Sequence, residues 1–558
     1  MANVNLADGC RQAASDFLES VVVIDDRAYR GSQLTSGAPQ GEGETTPRRR
    51  PRVLKTPEAA ESATVDAVSR RHELDARELA TVFASKGLVC GVLSPSPDAT
   101  GDVPMAAVSR ADIVVLDWDL HGDDGEGALQ IIEALWDKGD ALNRLRLVAV
   151  YTGDRDLHRI VREITARLKS MGPSPVRADG AFVRRKEMLR VAVFAKQYAV
   201  FPANEPAKRA RIVQERDLPD RLIQEFATLT CGLVPTVALL AMAAVRQNTH
   251  RVVSRLNSTL DPAYLWHRAL LANPSEAEEH LVDLVAAELH SVIENEGAGR
   301  GANIDAIRLW LDGEDLARLT KQFDSQTALV SEDVLAVLER GVEANDAGGQ
   351  RLGGKLGLSN NRIGKKKIAG FARSIAEAER SDAEFAHLLA LKTRYTSPPP
   401  KLWLGVIVAS GRGANERYWL CLQPRCDSVR LPGPTQFPML PLTRAAEGRK
   451  FDVVVRASRG LQRLELSRKP ADLRMINFTP APGQDRIVAE TDGSSNYRFR
   501  AATGRPTWYR FVAELKADTA QMFASELANN ISRVGLNESE WLRRWREKGE
   551  ARRADAPA

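Results

Sequence analysis

The chain has no long hydrophobic run, no cysteine cluster and no strong charge imbalance, and each absence removes a class of function. Its longest apolar run, Cys231 to Val245, contains Pro235 and falls short of the length a bilayer needs. The N-terminus is polar and lacks the apolar segment of a secretory signal. No membrane insertion is therefore expected, and a cytoplasmic protein is. The five cysteines are odd in number and scattered, which argues for a reducing compartment without a disulfide framework. Cys421 and Cys426 flank a turn, but zinc needs four ligands and no second Cys/His pair is near in sequence. The eight histidines form no His-Glu-x-x-His, so that metallohydrolase signal is missing. The stretch around Gly353-Gly354-Lys355 lacks the Gly-Lys-Ser/Thr ending and the preceding strand of a phosphate-binding P-loop. A net charge of only +5 gives no whole-molecule argument for nucleic acid, which stays open as a partner without being indicated.

What is present is a series of buried-strand runs that end on reactive side chains. Ile113 to Leu116 is an unbroken, β-branched apolar run that closes on Asp117, followed by Trp118, Asp119 and the glycine-containing loop to Gly125. Val21 to Ile24 closes on Asp25-Asp26, and Leu145 to Tyr151 closes on Thr152-Gly153. Ala181 to Val183 reads as a fourth strand closing on Arg184-Arg185-Lys186. In open parallel sheets, chemistry collects at the carboxyl ends of strands. Carboxylates grouped there can hold a hard divalent cation through oxygen, typically Mg2+. The cation would offset the charge of a phosphoryl group carried by Asp117, with Thr152 and a Lys or Arg contacting its oxygens.

This order of residues resembles the receiver domain of two-component response regulators over Ser15 to Tyr198. The resemblance implies that Asp25 and Asp26 are the metal-binding pair, that Asp117 is the phosphoacceptor and metal ligand, and that the backbone carbonyl of Asp119 completes the metal set. It matches Thr152 to the switch hydroxyl and Asp124-Gly125 to the Asp-Gly that follows the phosphoacceptor loop. The family's lysine falls on Arg184 without gaps, with Lys186 two positions on. The Pro after that lysine is Arg185, and the aromatic switch position falls on Ala181, beside Phe182. A sensor histidine kinase or another signalling protein is the implied partner, and a homo-oligomer stays open.

The implied fold is a flavodoxin-like, doubly wound sheet of five parallel strands, followed by a helical bundle and a C-terminal α+β domain. At 558 residues the chain is too long for a single core. The receiver-like domain spans 1–202, with a flexible insertion at 31–69 that is poor in large apolar residues and contains Pro47-Arg48-Arg49-Arg50-Pro51-Arg52. A helix from Glu187 to Tyr198 is expected to close that domain. A basic linker covers 203–217, and helical periodicity from 218 to 345 predicts an antiparallel bundle with the stripe Leu281, Leu284, Val285, Leu289, Val292 and Ile293. A Gly/Lys-rich linker and a helix occupy 346–400. Strand-like runs and a long helix, Thr507 to Val534, make an α+β domain at 401–535, and 536–558 is a basic amphipathic tail.

Three functions fit these residues. In the first, a phosphorylatable receiver controls the C-terminal domains, with Arg184, Arg185 and Lys186 on the coupling loop. In the second, the receiver is vestigial and the protein is an adaptor or sensor, weakly resembling parts of bacterial defence loci. In the third, Asp117-Trp118-Asp119 resembles the Asp-x-Asp of haloacid-dehalogenase-type phosphatases, with Thr152 and Lys186 as later motifs, although the acid pair comes too early in the chain. Beyond self-phosphorylation, the sequence gives no sign of an enzyme.

Overall fold

The computed structural model describes residues 5–29, 74–95, 104–137, 144–172, 176–179, 182–185, 189–197, 199, 201, 205–323, 328–358, 369–395, 398–411, 413–446, 450–457, 460–492, 496–502 and 507–532. The expected flexible insertion at 31–69 and the basic tail at 536–558 lie outside them, as do Ala181 and Lys186. Two compact units divide the chain, 1–314 and 315–558.

The first unit is built on a mostly parallel sheet. In chain order its elements are α1 (Leu6–Phe17), β1 (Ser20–Ile24), α2 (Ala76–Ser85), β2 (Val89–Leu93), α3 (Met105–Val108), β3 (Ile113–Leu116), α4 (Glu126–Asp137), β4 (Arg146–Thr152), α5 (Leu157–Ser170), β5 (Val176–Asp179), β6 (Phe182–Arg185), β7 (Leu189–Lys196), α6 (Pro206–Arg209), β8 (Ile212–Val213), α7 (Leu218–Thr230), α8 (Leu233–Arg255), α9 (Asp261–Leu270), α10 (Glu276–Asn295) and α11 (Ile304–Asp312). The sheet order is β2-β1-β3-β4-β7-β6-β5, with β8 pairing beside β7. Its first five strands are mutually parallel. Every residue of β3 and β4 is buried, as expected for strands covered on both faces. One face packs on α1, α2, α7 and α8 through Phe17, Phe83, Phe226 and Leu239. The other packs on α4 and α5 through Ile132, Leu135, Ile160 and Ile164.

Two expectations are corrected in this region. Glu187 to Tyr198 was expected to be helical, but Leu189–Lys196 is the fifth parallel strand, paired with β4 over residues 189–195. The strand read at Ala181 to Val183 belongs instead to an antiparallel hairpin, β5–β6, inserted before it. Arg184 pairs across the ladder with Arg177 and Arg190, so it does not end a parallel strand. The helix that closes the fold is α7. Its buried Glu225 holds it to the sheet through Arg190 at 2.7 Å, with Arg211 at 3.7 Å, and pairs within the helix with Arg221 at 2.8 Å. The guanidinium groups of Arg190 and Arg211 lie 3.8 and 4.0 Å from the Phe182 ring, which ties the hairpin into the same cluster.

Beyond α8, the predicted apolar stripe is covered only in its second half, where Leu289, Val292 and Ile293 are half-buried and Ile293 packs against the core beneath α1 and α8. Among the residues of α9 and α10 only Ala277 is buried, and Leu281, Leu284 and Val285 are all exposed.

The second unit opens with α12 (Leu316–Phe323), α13 (Ser331–Arg340), α14 (Leu352–Lys355) and α15 (Ile375–Ala390). It continues with β9 (Val406–Ser410), β10 (Arg417–Cys421), β11 (Thr435–Arg444), β12 (Val453–Ala457), β13 (Gly460–Leu466), β14 (Arg474–Phe478), β15 (Glu490–Thr491), β16 (Tyr497–Ala501), β17 (Thr507–Glu514) and α16 (Ala517–Ile531). The sheet order is β10-β9-β17-β16-β14-β11-β13-β12, and pairing of β10 with β11 closes six strands into a ring. Alternation sends Val406, Val408 and Phe437 to one core and Ile407, Ala409 and Leu440 to the other. The long helix expected from Thr507 begins only at Ala517. Residues 507–514, rich in aromatic and β-branched side chains, are the strand β17.

Candidate functional site

The sheet brings four strand ends together. Asp25 and Asp26 follow β1, Asp117 follows β3, Thr152 ends β4 and Lys196 ends β7. Because these strands are parallel and in register, the residues that leave them come out on one edge. Asp25, Asp117, Thr152 and Lys196 are all buried, with Lys196 only 3% exposed.

Lys196 is the centre of the arrangement. Its Nζ donates to Asp25 Oδ2 and to Asp117 Oδ2, each at 2.8 Å. The other Asp117 oxygen accepts the Trp118 N–H at 2.8 Å, and Asp25 Oδ1 accepts the Arg27 N–H at 2.9 Å. Burial pushes the Asp117 carboxyl up from its ordinary 3.8 to about 6. The Lys196 ammonium pulls the other way, and the Asp25 carboxylate adds to the rise. Thr152 Oγ1 accepts the Asp154 N–H at 3.1 Å, which leaves its own proton free to be donated.

The donor set can be tested against a metal. One oxygen from each of Asp25, Asp26 and Asp117 lies within 4.8 Å of the others. Asp26 Oδ2 accepts the His121 N–H at 3.1 Å, while Asp26 Oδ1 is buried without a hydrogen-bond partner. A buried carboxylate oxygen without a donor is costly, and a hard cation would satisfy it. Three carboxylates served by one buried ammonium still leave negative charge over. The residues present therefore fit an oxygen-liganded divalent cation such as Mg2+.

Above these acids a cavity of about 430 Å³ is lined by Arg27, Asp117, Asp119, Asp124, Thr152 and Lys196, among others. The loop over it turns through positive φ at His121, Gly122, Asp124 and Gly125. Asp119 sits on the rim, its Oδ1 accepting the Asp124 N–H at 3.3 Å and its Oδ2 3.7 Å from Arg27. The His121 ring bridges Asp26 Oδ2, at 3.3 Å, and the Pro95 carbonyl, at 2.9 Å.

The structure thus joins Asp25, Asp26, Asp117 and Thr152, and it corrects the cation. Arg184 lies on the hairpin strand β6, Lys186 lies outside the described residues, and the cation at the acids is Lys196. Only part of the signal for Lys196 was in the sequence. Val191 to Ala195 is a short apolar run with β-branched members that closes on a reactive side chain, but Arg190 interrupts it on one side. His121 and Arg27 were also missed, and nothing in their local sequence marks them.

No curated protein and no solved structure matches the chain. A family model described as the response receiver domain matches residues 17–200. That span takes in β1 through β7 and every residue of the site. No described helix is long and apolar enough to cross a membrane. Residues 17–200, at the N-terminal end of this 558-residue chain, form a response receiver domain.

Proposed function

We infer that Asp117 accepts a phosphoryl group from a sensor histidine kinase or another phosphodonor, and that the modified receiver controls the C-terminal part of the chain. The observation that carries this reading is the contact of one buried lysine, Lys196, with Asp25 and Asp117 at 2.8 Å each, beside the hydroxyl of Thr152. Asp25, Asp26, Asp117 and the backbone carbonyl of Asp119 would hold Mg2+. When bound, the cation offsets the charge that a phosphoryl group brings beside three carboxylates.

The chain's own residues do the rest. Asp117 Oδ1, fixed by the Trp118 N–H, and Oδ2, fixed by Lys196, orient the carboxylate towards the cavity. One oxygen attacks phosphorus, and the donor departs with the electron pair of the broken bond. Lys196 then has a phosphoryl oxygen to hold in place of the carboxylate oxygen it has lost. The Thr152 hydroxyl donates to another. Beside Thr152, the Tyr151 hydroxyl donates to the Val213 carbonyl at 2.8 Å, just before α7. A shift at the end of β4 would reach α7 by that bond rather than by Arg184 and Arg185.

The test is incubation of the full chain with Mg2+ and acetyl phosphate, followed by mass spectrometry of intact protein and peptides. The expected result is one phosphoryl group on Asp117, lost on chelation of the metal and in Asp117→Asn. Equal labelling of Asp117→Asn would overturn the assignment. No labelling at all would favour the adaptor reading, and steady hydrolysis of acetyl phosphate without retained label would favour the phosphatase.

A further inference from the structure

Cys10 and Cys231 are 221 positions apart in sequence, yet their sulfur atoms lie 2.6 Å apart. Cys10 is buried in α1, and Cys231 is the exposed residue that ends α7. The Cys231 S–H donates to Cys10 Sγ, and the Thr236 hydroxyl lies 3.6 Å from the same sulfur. These donors, with a Gly232 backbone N–H, hold the Cys10 thiol below its ordinary range against the opposing effect of burial, which favours its thiolate form. The Cys231 thiol is pushed well up by the sulfur beside it. Both sulfurs border a surface cleft of about 230 Å³, also lined by Asn5, Arg11, Gln224 and Thr228. Two other thiols differ sharply, since burial pushes Cys90 up to about 11 and, against a backbone hydrogen bond at Gln423, Cys421 up to about 12.

We propose that Cys10 and Cys231 form a thiol–disulfide exchange site that reacts with low-molecular-weight disulfides and closes to an intramolecular disulfide. Exposure and the shared hydrogen divide the labour. Cys231 passes its proton to the Cys10 thiolate, and its sulfur attacks one sulfur of the small disulfide. That S–S bond breaks, and the leaving thiolate takes the proton from Cys10 and departs as a thiol. The regenerated Cys10 thiolate attacks the Cys231 sulfur of the mixed disulfide and expels the second small thiolate to solvent. Two electrons pass from the cysteine pair to the small disulfide, which leaves as two reduced molecules. The new bond ties α1 to the turn between α7 and α8, so three of the four helices on that face of the receiver sheet become linked.

The experiment uses the full-length reduced chain and oxidised glutathione at pH 7.5. The reaction is quenched with acid, free thiols are alkylated under denaturing conditions, and peptides are mapped. The expected result is loss of two alkylatable thiols and recovery of one Cys10–Cys231 linked peptide, with Cys421 still alkylated. In Cys10→Ser, or Cys10→Ala if the serine variant does not fold, the reaction should stop at a glutathione adduct on Cys231. In Cys231→Ser, Cys10 should stay alkylatable because no exposed sulfur meets the reagent. The proposal fails if wild-type Cys231 accumulates as a stable glutathione adduct, or if both thiols stay alkylatable while exposed Cys426 is glutathionylated.

Discussion

Lys196→Met is expected to destabilise the receiver by about 3–5 kcal/mol at pH 7.5, the cost of removing one partner from a buried ionic cluster. The methionine fills similar volume, so the loss is electrostatic, with Asp25 and Asp117 left facing each other without the ammonium that now touches both. The pH dependence follows from Asp117, whose carboxyl is held at about 6 rather than its ordinary 3.8. A carboxyl raised on folding contributes stability that is fully present below about pH 4 and is lost as pH rises through 6. In the variant this window moves upward, because the counter-charge is gone. The destabilisation should therefore be markedly smaller at pH 5 than at 7.5, and millimolar Mg2+ should recover part of it at the higher pH. Native-state hydrogen exchange at the amides of β3 and β4 reads the unfolding free energy of this sheet within the full chain. A loss below about 1 kcal/mol at both pH values would show that the lysine does not neutralise the acids.

Gly125→Ala should be nearly as damaging, at about 2–5 kcal/mol, for two reasons that can be separated. Gly125 has φ +94, where a side chain costs roughly 1–2 kcal/mol. Its added Cβ would also lie 2.2 Å from Trp118 Cε2 and Cζ2, and Trp118 is fully buried, so overpacking adds about 1–3 kcal/mol. Gly122→Ala is the control. Its φ is +80, but no atom lies within 4 Å of the new methyl group, so only the backbone cost should appear. The difference between the two variants measures the Trp118 contact, and equal losses would dismiss it. Gly125→Ala should also slow labelling of Asp117, because Trp118 supplies the N–H that orients the carboxylate.

The contrast between the two ends of the receiver shows what a sequence exposes. Val21–Ile24 and Ile113–Leu116 are short β-branched runs bounded by acids, and both the strands and their terminal aspartates were legible. Leu189–Lys196 was not, because a strand buried on both faces has no alternation, and its Arg, Ala and Phe fit a helix equally well. The preceding segment compounded the error, because its sequence offered Arg184 and Lys186 where a terminal cation was sought. His121 and Arg27 reach the acids through the fold of the loop over the cavity and the turn after β1, which no local pattern encodes. In the second unit, Phe511 and Leu515 have helical spacing, yet Thr507–Glu514 pairs on both sides as β17. There tertiary pairing outweighed local periodicity.

The β5–β6 hairpin also changes what the molecule offers to other strands. Without it, β7 would end the sheet as an eight-residue, largely apolar border with a row of unpaired amides and carbonyls, a template for pairing with another chain. With the hairpin in place, β6 covers residues 189–192 of that border and β8 takes up 195–196. The border passes to β5, only four residues long. Short length is a feature that discourages unwanted strand addition. An insertion that hid the lysine from a reader of the sequence thus also protects the domain against aggregation.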